Sequence, residues 1–107
     1  MNKYNLGSLE EMVLLVLLTV SDEAYGITIL DAYVENTGNR ISLSAIHSVL
    51  RRLEKKGFIT SIMGGSTSDR GGRRKRLYQV TKYGYKTVEA IQENRARIWQ
   101  QIPKLEF

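Results

Sequence analysis

Ser42-Leu43-Ser44-Ala45-Ile46-His47-Ser48-Val49-Leu50-Arg51-Arg52-Leu53-Glu54-Lys55-Lys56-Gly57 reads as a short amphipathic helix whose two faces differ in kind. Ser42 is a good N-cap, because its hydroxyl can accept from a backbone N–H that the first turn leaves without a partner. Leu43, Ile46, Leu50 and Leu53 then recur at helical spacing and are expected to face inward, and Gly57 closes the pattern. The other face carries Ser44, Ala45, His47, Ser48, Arg51, Arg52 and Lys55, small groups near the start and long cations further along. That ordering suits a helix set end-first into a groove of a polyanion.

On its C-terminal side, Phe58 to Met63 has strand-like content, and Arg76-Leu77-Tyr78-Gln79-Val80 alternates with the period of a half-buried strand. Between them lies a polar stretch, Gly64 to Lys75, with two Gly-Gly pairs. The two runs are expected to pair as a hairpin whose long tip presents Arg70, Arg73, Arg74 and Lys75. Thr81 then caps a last helix of roughly twenty residues, about 30 Å long, which Pro103 stops. Along it Val88, Ile91, Arg95, Ile98 and Ile102 keep a spacing near that of a helix-packing seam, with Trp99 beside them. The far end of such a helix projects from a domain this small, and Ile98, Trp99 and Ile102 need a cover, most simply a second copy of the chain.

On the N-terminal side, Ser8-Leu9-Glu10-Glu11 has capping-box spacing, with Ser8 as the cap and Glu11 reaching back. Met12 to Leu18 is apolar throughout, which predicts a buried helix enclosed by other elements; it is far shorter than the roughly 20 residues of a membrane span. Ser21-Asp22-Glu23 offers a second helix start, after which Ile27, Leu30 and Val34 repeat until Gly38. Tyr25, Tyr78, Tyr83 and Tyr85 read as amphipathic packing residues.

Charge separates along the chain. Twelve of the sixteen Lys and Arg residues lie between Arg40 and Lys86, with only Glu54 and Asp69 of the eleven acids, so that segment carries +10 and the remainder −5. One surface is therefore built to meet a polyanion, and the helix and hairpin patterns inside the basic segment favour duplex DNA over lipid. At 107 residues the chain fits one compact unit, divided as 1–80 for binding and 81–107 for the final helix and tail. Catalysis has little support: one histidine, no cysteine, no metal-ligand spacing among the carboxylates, and no Gly-Lys-Ser/Thr after the glycine pairs. No cofactor, metal or membrane is expected, and with no export signal or membrane span read in the sequence a cytoplasmic location is the expectation.

Three helices, a two-stranded hairpin with a basic tip and a further helix give a mainly α fold with a small β-hairpin: a winged helix-turn-helix with a C-terminal dimerisation helix. In that geometry the third helix enters the major groove and the wing follows the phosphates. Four segments also resemble the PadR family of bacterial transcriptional regulators: Leu6-Gly7-Ser8-Leu9-Glu10, Tyr25-Gly26, Leu50 through Ile59, and Gly72-Arg73-Arg74-Lys75-Arg76-Leu77-Tyr78 ahead of Thr81 and Gly84. The match covers about residues 6 to 85. The resemblance implies a homodimeric repressor joined largely through the C-terminal helix, and two-fold symmetry then predicts a pseudo-palindromic operator. The single short C-terminal helix resembles that of the compact members of the family, some of which sense planar aromatic drugs in a pore between the subunits lined by a tryptophan, and Trp99 matches that tryptophan in approximate position. His47 stands where the family usually has tyrosine, and a Gly or Pro usually found near Leu43 and Ser44 is missing. Two other classes stay open on the residues alone: a winged-helix module that docks an acidic protein, and a nucleic-acid-binding protein blind to sequence. Trp99 stays open between dimer core and effector site.

Overall fold

In the computed structural model, which describes residues 3–66 and 74–107, helices α1 (Ser8–Thr19), α2 (Gly26–Thr37) and α3 (Leu43–Lys55) precede strands β1 (Ile59–Ser66) and β2 (Arg74–Val80), and α4 (Lys82–Gln100) follows. The core is built where the helical periodicities meet. Val13, Leu14, Val16 and Leu17 of α1 pack with Ile29 of α2 and with Ile46, Val49, Leu50 and Leu53 of α3, all buried. Phe58, Ile59, Tyr78, Val88 and Ile91 extend this core under the hairpin and the first half of α4.

Several local expectations shift when the tertiary contacts are added. The first cap falls one residue early: Gly7 is the N-cap of α1, and the Glu10 carboxylate, not that of Glu11, accepts from the Gly7 N–H at 2.7 Å. Residues 21–23 form one turn of 3-10 helix and do not start α2. That helix begins at Gly26, where the Thr28 hydroxyl accepts from the Tyr25 N–H at 2.9 Å. Nor is α1 enclosed on all sides: Met12 is exposed, and it lines an open groove of about 630 Å³ with Leu9, Leu15 and Tyr33 between α1 and α2. Leu43, expected inside, is exposed, whereas Val49 completes the buried seam of α3.

The hairpin is antiparallel, in register Ile59↔Val80, Ser61↔Tyr78 and Met63↔Arg76, with an irregularity between Met63 and Ser66 before the pair Ser66↔Arg74. Both strands run further toward the tip than the alternation of side chains suggests. The other edge of β2 is held to the segment before α2, since the Tyr78 N–H donates to the Ala24 carbonyl at 2.9 Å. That bond aims the hairpin alongside α3.

One carbonyl joins α3, the hairpin and α4. Gly57, at φ 85, turns the chain out of α3 in a conformation other residues rarely adopt, and so delivers Phe58 to the core. The Phe58 carbonyl then accepts from the Thr81 N–H at 3.0 Å, and Thr81 Oγ1 in turn accepts from the Gly84 N–H at 3.0 Å, capping α4. Gly84 passes so close that a Cβ there would lie 2.1 Å from the Phe58 oxygen. Tyr83 stacks on the Phe58 ring at 4.9 Å between centroids. With 19 residues, α4 is about 28 Å long, and its buried residues, Gly84, Thr87, Val88 and Ile91, all lie in its first half.

Candidate nucleic-acid interface

The buried seam of α3 runs through Ile46, Val49, Leu50 and Leu53. At about 100° of rotation per residue, Ser44, Ser48, Arg51 and Lys55 lie opposite that seam and face away from the body. Ala45 and Arg52 lie on the flank toward α1, and His47 on the flank toward α2. Ser42 caps this helix, its hydroxyl accepting from the Ala45 N–H at 3.0 Å and lying 3.1 Å from the Ser44 hydroxyl. The start of α3 therefore offers N–H groups, hydroxyls and the positive end of the helix dipole, and Arg51 and Lys55 offer charge further along.

The cations at the end of α3 divide. Arg51 and Lys55 are exposed on the outward stripe. Lys56 instead points back to α1: its Nζ donates to both oxygens of Glu10, at 2.8 and 2.9 Å, and to the Asn5 carbonyl at 3.0 Å. Arg52 Nε reaches the same carboxylate at 3.3 Å while leaving much of its side chain in solvent. Burial raises the pKa of Glu10, but the Lys56 hydrogen bond, the Gly7 N–H, the Lys56 charge and Arg52 outweigh it, and the carboxyl is held below its ordinary 4.5. Sequence pattern alone does not mark Glu10 as part of this surface. The signal lies in its position three residues after the true cap, on a turn that meets the end of α3.

His47 packs against the start of α2, so close that a Cβ on Gly26 would lie 2.7 Å from its Cε1. Its ring thus has a packing role besides any contact with bases. In the wing, Lys75 Nζ sits 4.7 Å over the Tyr25 ring. Arg76 donates to Ser61 Oγ at 2.9 Å, and Ser61 Oγ donates to Glu54 at 2.8 Å, tying β2 to β1 and to the end of α3. Arg70 and Arg73 lie outside the described residues, and Arg74 is placed only by its backbone pairing with Ser66. Lys75, expected at the tip, lies within β2.

The residues of the expected seam on α4 separate into three groups. Val88 and Ile91 are buried in the chain's own core and offer no surface to a partner. Arg95 makes a two-pronged pair with Glu11 of α1, Nη1 to Oε1 and Nη2 to Oε2, the second at 3.0 Å. Beyond it Ile98, Trp99 and Ile102 are exposed, Trp99 by 74%, and Leu105 and Phe107 in the tail are exposed as well. Among the described residues there is no cluster of three or more His, Asp or Glu that could hold a metal ion, and no helix long and apolar enough to cross a membrane.

The family model described as the transcriptional regulator PadR-like family matches residues 13–90. Among solved structures, a PadR family transcription regulator from Clostridium difficile is similar with a TM-score of 0.68 at 24% identity, over 88% of this chain and 93% of that one. A PadR-like transcriptional regulator from Bacillus cereus gives 0.67 at 20% identity, over 86% and 84%. A third, a PadR family transcriptional regulator from Eggerthella lenta, gives 0.66 at 21% identity, over 86% and 80%. A search of curated proteins found no match. At these identities the structural likeness shows the winged-helix fold.

Proposed function

This chain belongs to the PadR-like family of transcriptional regulators, DNA-binding proteins and not enzymes, and from that premise we propose that it is a cytoplasmic homodimeric repressor of a pseudo-palindromic operator. The observation that carries the proposal is the outward stripe of α3, with Ser44 and Ser48 ahead of Arg51 and Lys55 in a segment of charge +10. Short side chains at the leading end let the helix approach base edges, and the cations behind them meet phosphates. Ser44, Ser48 and, from the flanks, Ala45 and His47 read bases; Arg51, Lys55 and the free edge of Arg52 hold the backbone. Arg70, Arg73, Arg74 and Lys75 of the wing add sequence-independent affinity, Lys75 after leaving the Tyr25 ring.

Residues 1–80 form the reading unit and 81–107 join the two copies. Ile98, Trp99 and Ile102 meet a second chain, whose α1 leaves Leu9, Met12 and Leu15 partly open to receive them. Two-fold symmetry then brings the two recognition helices to successive major-groove faces one or more helical turns apart. A planar aromatic effector stacking on Trp99 relieves repression to the extent that it binds one arrangement of the two helices better than the other. Trp99→Ala is expected to shift sedimentation toward monomer, and titrating planar aromatic cations while following Trp99 fluorescence tests the effector.

The deciding experiment is an anisotropy titration of labelled duplex from upstream of the protein's own gene against scrambled duplex. Specific binding at least about 100-fold tighter at physiological salt, a threshold set below the usual ratio of about 1,000-fold or more, supports a sequence-reading regulator that acts on its own promoter. Equal binding to both duplexes contradicts that reading.

A further inference from the structure

Adjacent carboxylates in the first turn of α1 point to different elements. Glu10, its side chain 6% exposed, takes Lys56 and Arg52 from the end of α3. Glu11, 12% exposed, takes Arg95 from the second half of α4. One helical turn thus touches the helix that reads DNA on one side and the helix that projects from the body on the other. We propose that Glu11 and Arg95 are positioning residues that set the half-site spacing accepted by the dimer, acting through the angle between α1 and α4. The inference rests on the homodimer reading given above.

The two joints are unlike. At Glu10 the carboxylate is buried, receives the Gly7 N–H as well as Lys56 and Arg52, and sits beside the fully buried seam of α3. That joint holds α3 fixed against α1. At Glu11 the pair is formed with a side chain that is 61% exposed, and α4 leaves the body just beyond it, with Ile98 and Trp99 in solvent. That joint is the one that can move. From Arg95 to the end of α4 at Gln100 is five residues, about 7.5 Å; a tilt of about 15° there moves the end by about 2 Å, which two-fold symmetry doubles to about 4 Å, against the roughly 3.4 Å separating successive base pairs. A small change of angle at Arg95 is therefore enough to change which operator spacing the two α3 helices fit, without touching a base-reading side chain. The two-pronged geometry suits this role, since a planar guanidinium on a carboxylate fixes direction as well as distance.

The test is enrichment of a randomised duplex pool by the full chain and by Arg95→Gln, Glu11→Gln, their double variant and Arg95→Lys. The wild type is expected to enrich an inverted repeat at one spacing. Either Gln variant keeps the same half-site sequence but accepts neighbouring spacings, with discrimination reduced about 5-fold, the upper end for a partly exposed pair. The double variant is no worse than either single one, because both remove the same ion pair. Arg95→Lys keeps the charge without the two-pronged geometry and falls between. Unchanged spacing in Arg95→Gln, or additive losses in the double variant, overturns the proposal. Arg95→Gln alone decides should Glu11→Gln fail to fold, since Arg95 lies largely in solvent. Enrichment of lone half-sites by the wild type would instead overturn the homodimer reading, and this proposal with it, before any variant is compared.

Discussion

Replacing Glu10 by Gln removes one negative charge from a site that gathers a backbone N–H, an ammonium and a guanidinium, and leaves the size of the side chain nearly unchanged. Hydrogen bonds to charged groups contribute about 1.5–3 kcal/mol each when buried. Lys56 and Arg52 keep 27% and 51% of their side chains in solvent, so both can recover hydration, and the glutamine oxygen still accepts from Gly7. A net loss of about 2 kcal/mol is the reasoned expectation, or a fall of about 10 °C in melting temperature for a domain of this size. The pH dependence sharpens the test. Glu10 is held below its ordinary 4.5 in the folded chain, so the unfolded chain takes up its proton first as pH falls. The stabilisation is therefore complete above the unfolded value and disappears as pH drops through the folded one. Circular-dichroism melts at fixed protein concentration, at neutral pH and in steps below pH 4.5, should show wild type and Glu10→Gln far apart at neutral pH and converging in acid. A difference independent of pH, or none at neutral pH, would refute the role assigned to this carboxylate.

Two further substitutions probe close approaches. Gly84→Ala places a methyl 2.1 Å from the Phe58 carbonyl oxygen, so α4 must move off the end of α3, and a loss of about 3 kcal/mol or failure to fold is expected; an unchanged thermal melt would show that the packing is looser than described. Gly26→Ala meets the His47 ring at 2.7 Å, and because that neighbour is a side chain, the cost should be about 1 kcal/mol and should vanish when His47→Ala is added. Additive losses in the double variant, measured by urea unfolding, would show that His47 does not pack there.

The order of the elements was legible because their signals are local: the caps at Ser42 and Thr81, the periodicity of Ile46, Leu50 and Leu53, and the alternation from Arg76 to Val80. The outward cations Arg51 and Lys55 were legible for the same reason. What the chain did not disclose depends on contacts between distant residues. Lys56 looks like its neighbour Lys55 until Glu10, 46 residues earlier, is brought against it. Val88 and Ile91 look like Ile98 on one helix face until the body ends partway along α4 and buries only the first pair. Leu43 follows the apolar period but lies at the first turn of α3, where the core has already receded. The shifted cap at Gly7 was hidden because Ser8 is a better cap by type, and the ties of Glu10 to α3 override that preference.

The cations at the end of α3 divide: Lys56 is held by Glu10, whereas Arg51 and Lys55 are exposed on the outward stripe and are the ones proposed to meet DNA. The most direct test is the dependence of DNA affinity on salt for wild type, for Arg51→Ala with Lys55→Ala, and for Lys56→Ala. Removing one cation from a phosphate lowers the slope of log K against log salt by about 0.9, so in a dimer the first variant should shed about 3 to 4 from the slope while melting like wild type. Lys56→Ala should melt lower and keep the wild-type slope. A slope that falls for Lys56→Ala and stands unchanged for the Arg51 and Lys55 pair would show that the roles of these cations are the reverse.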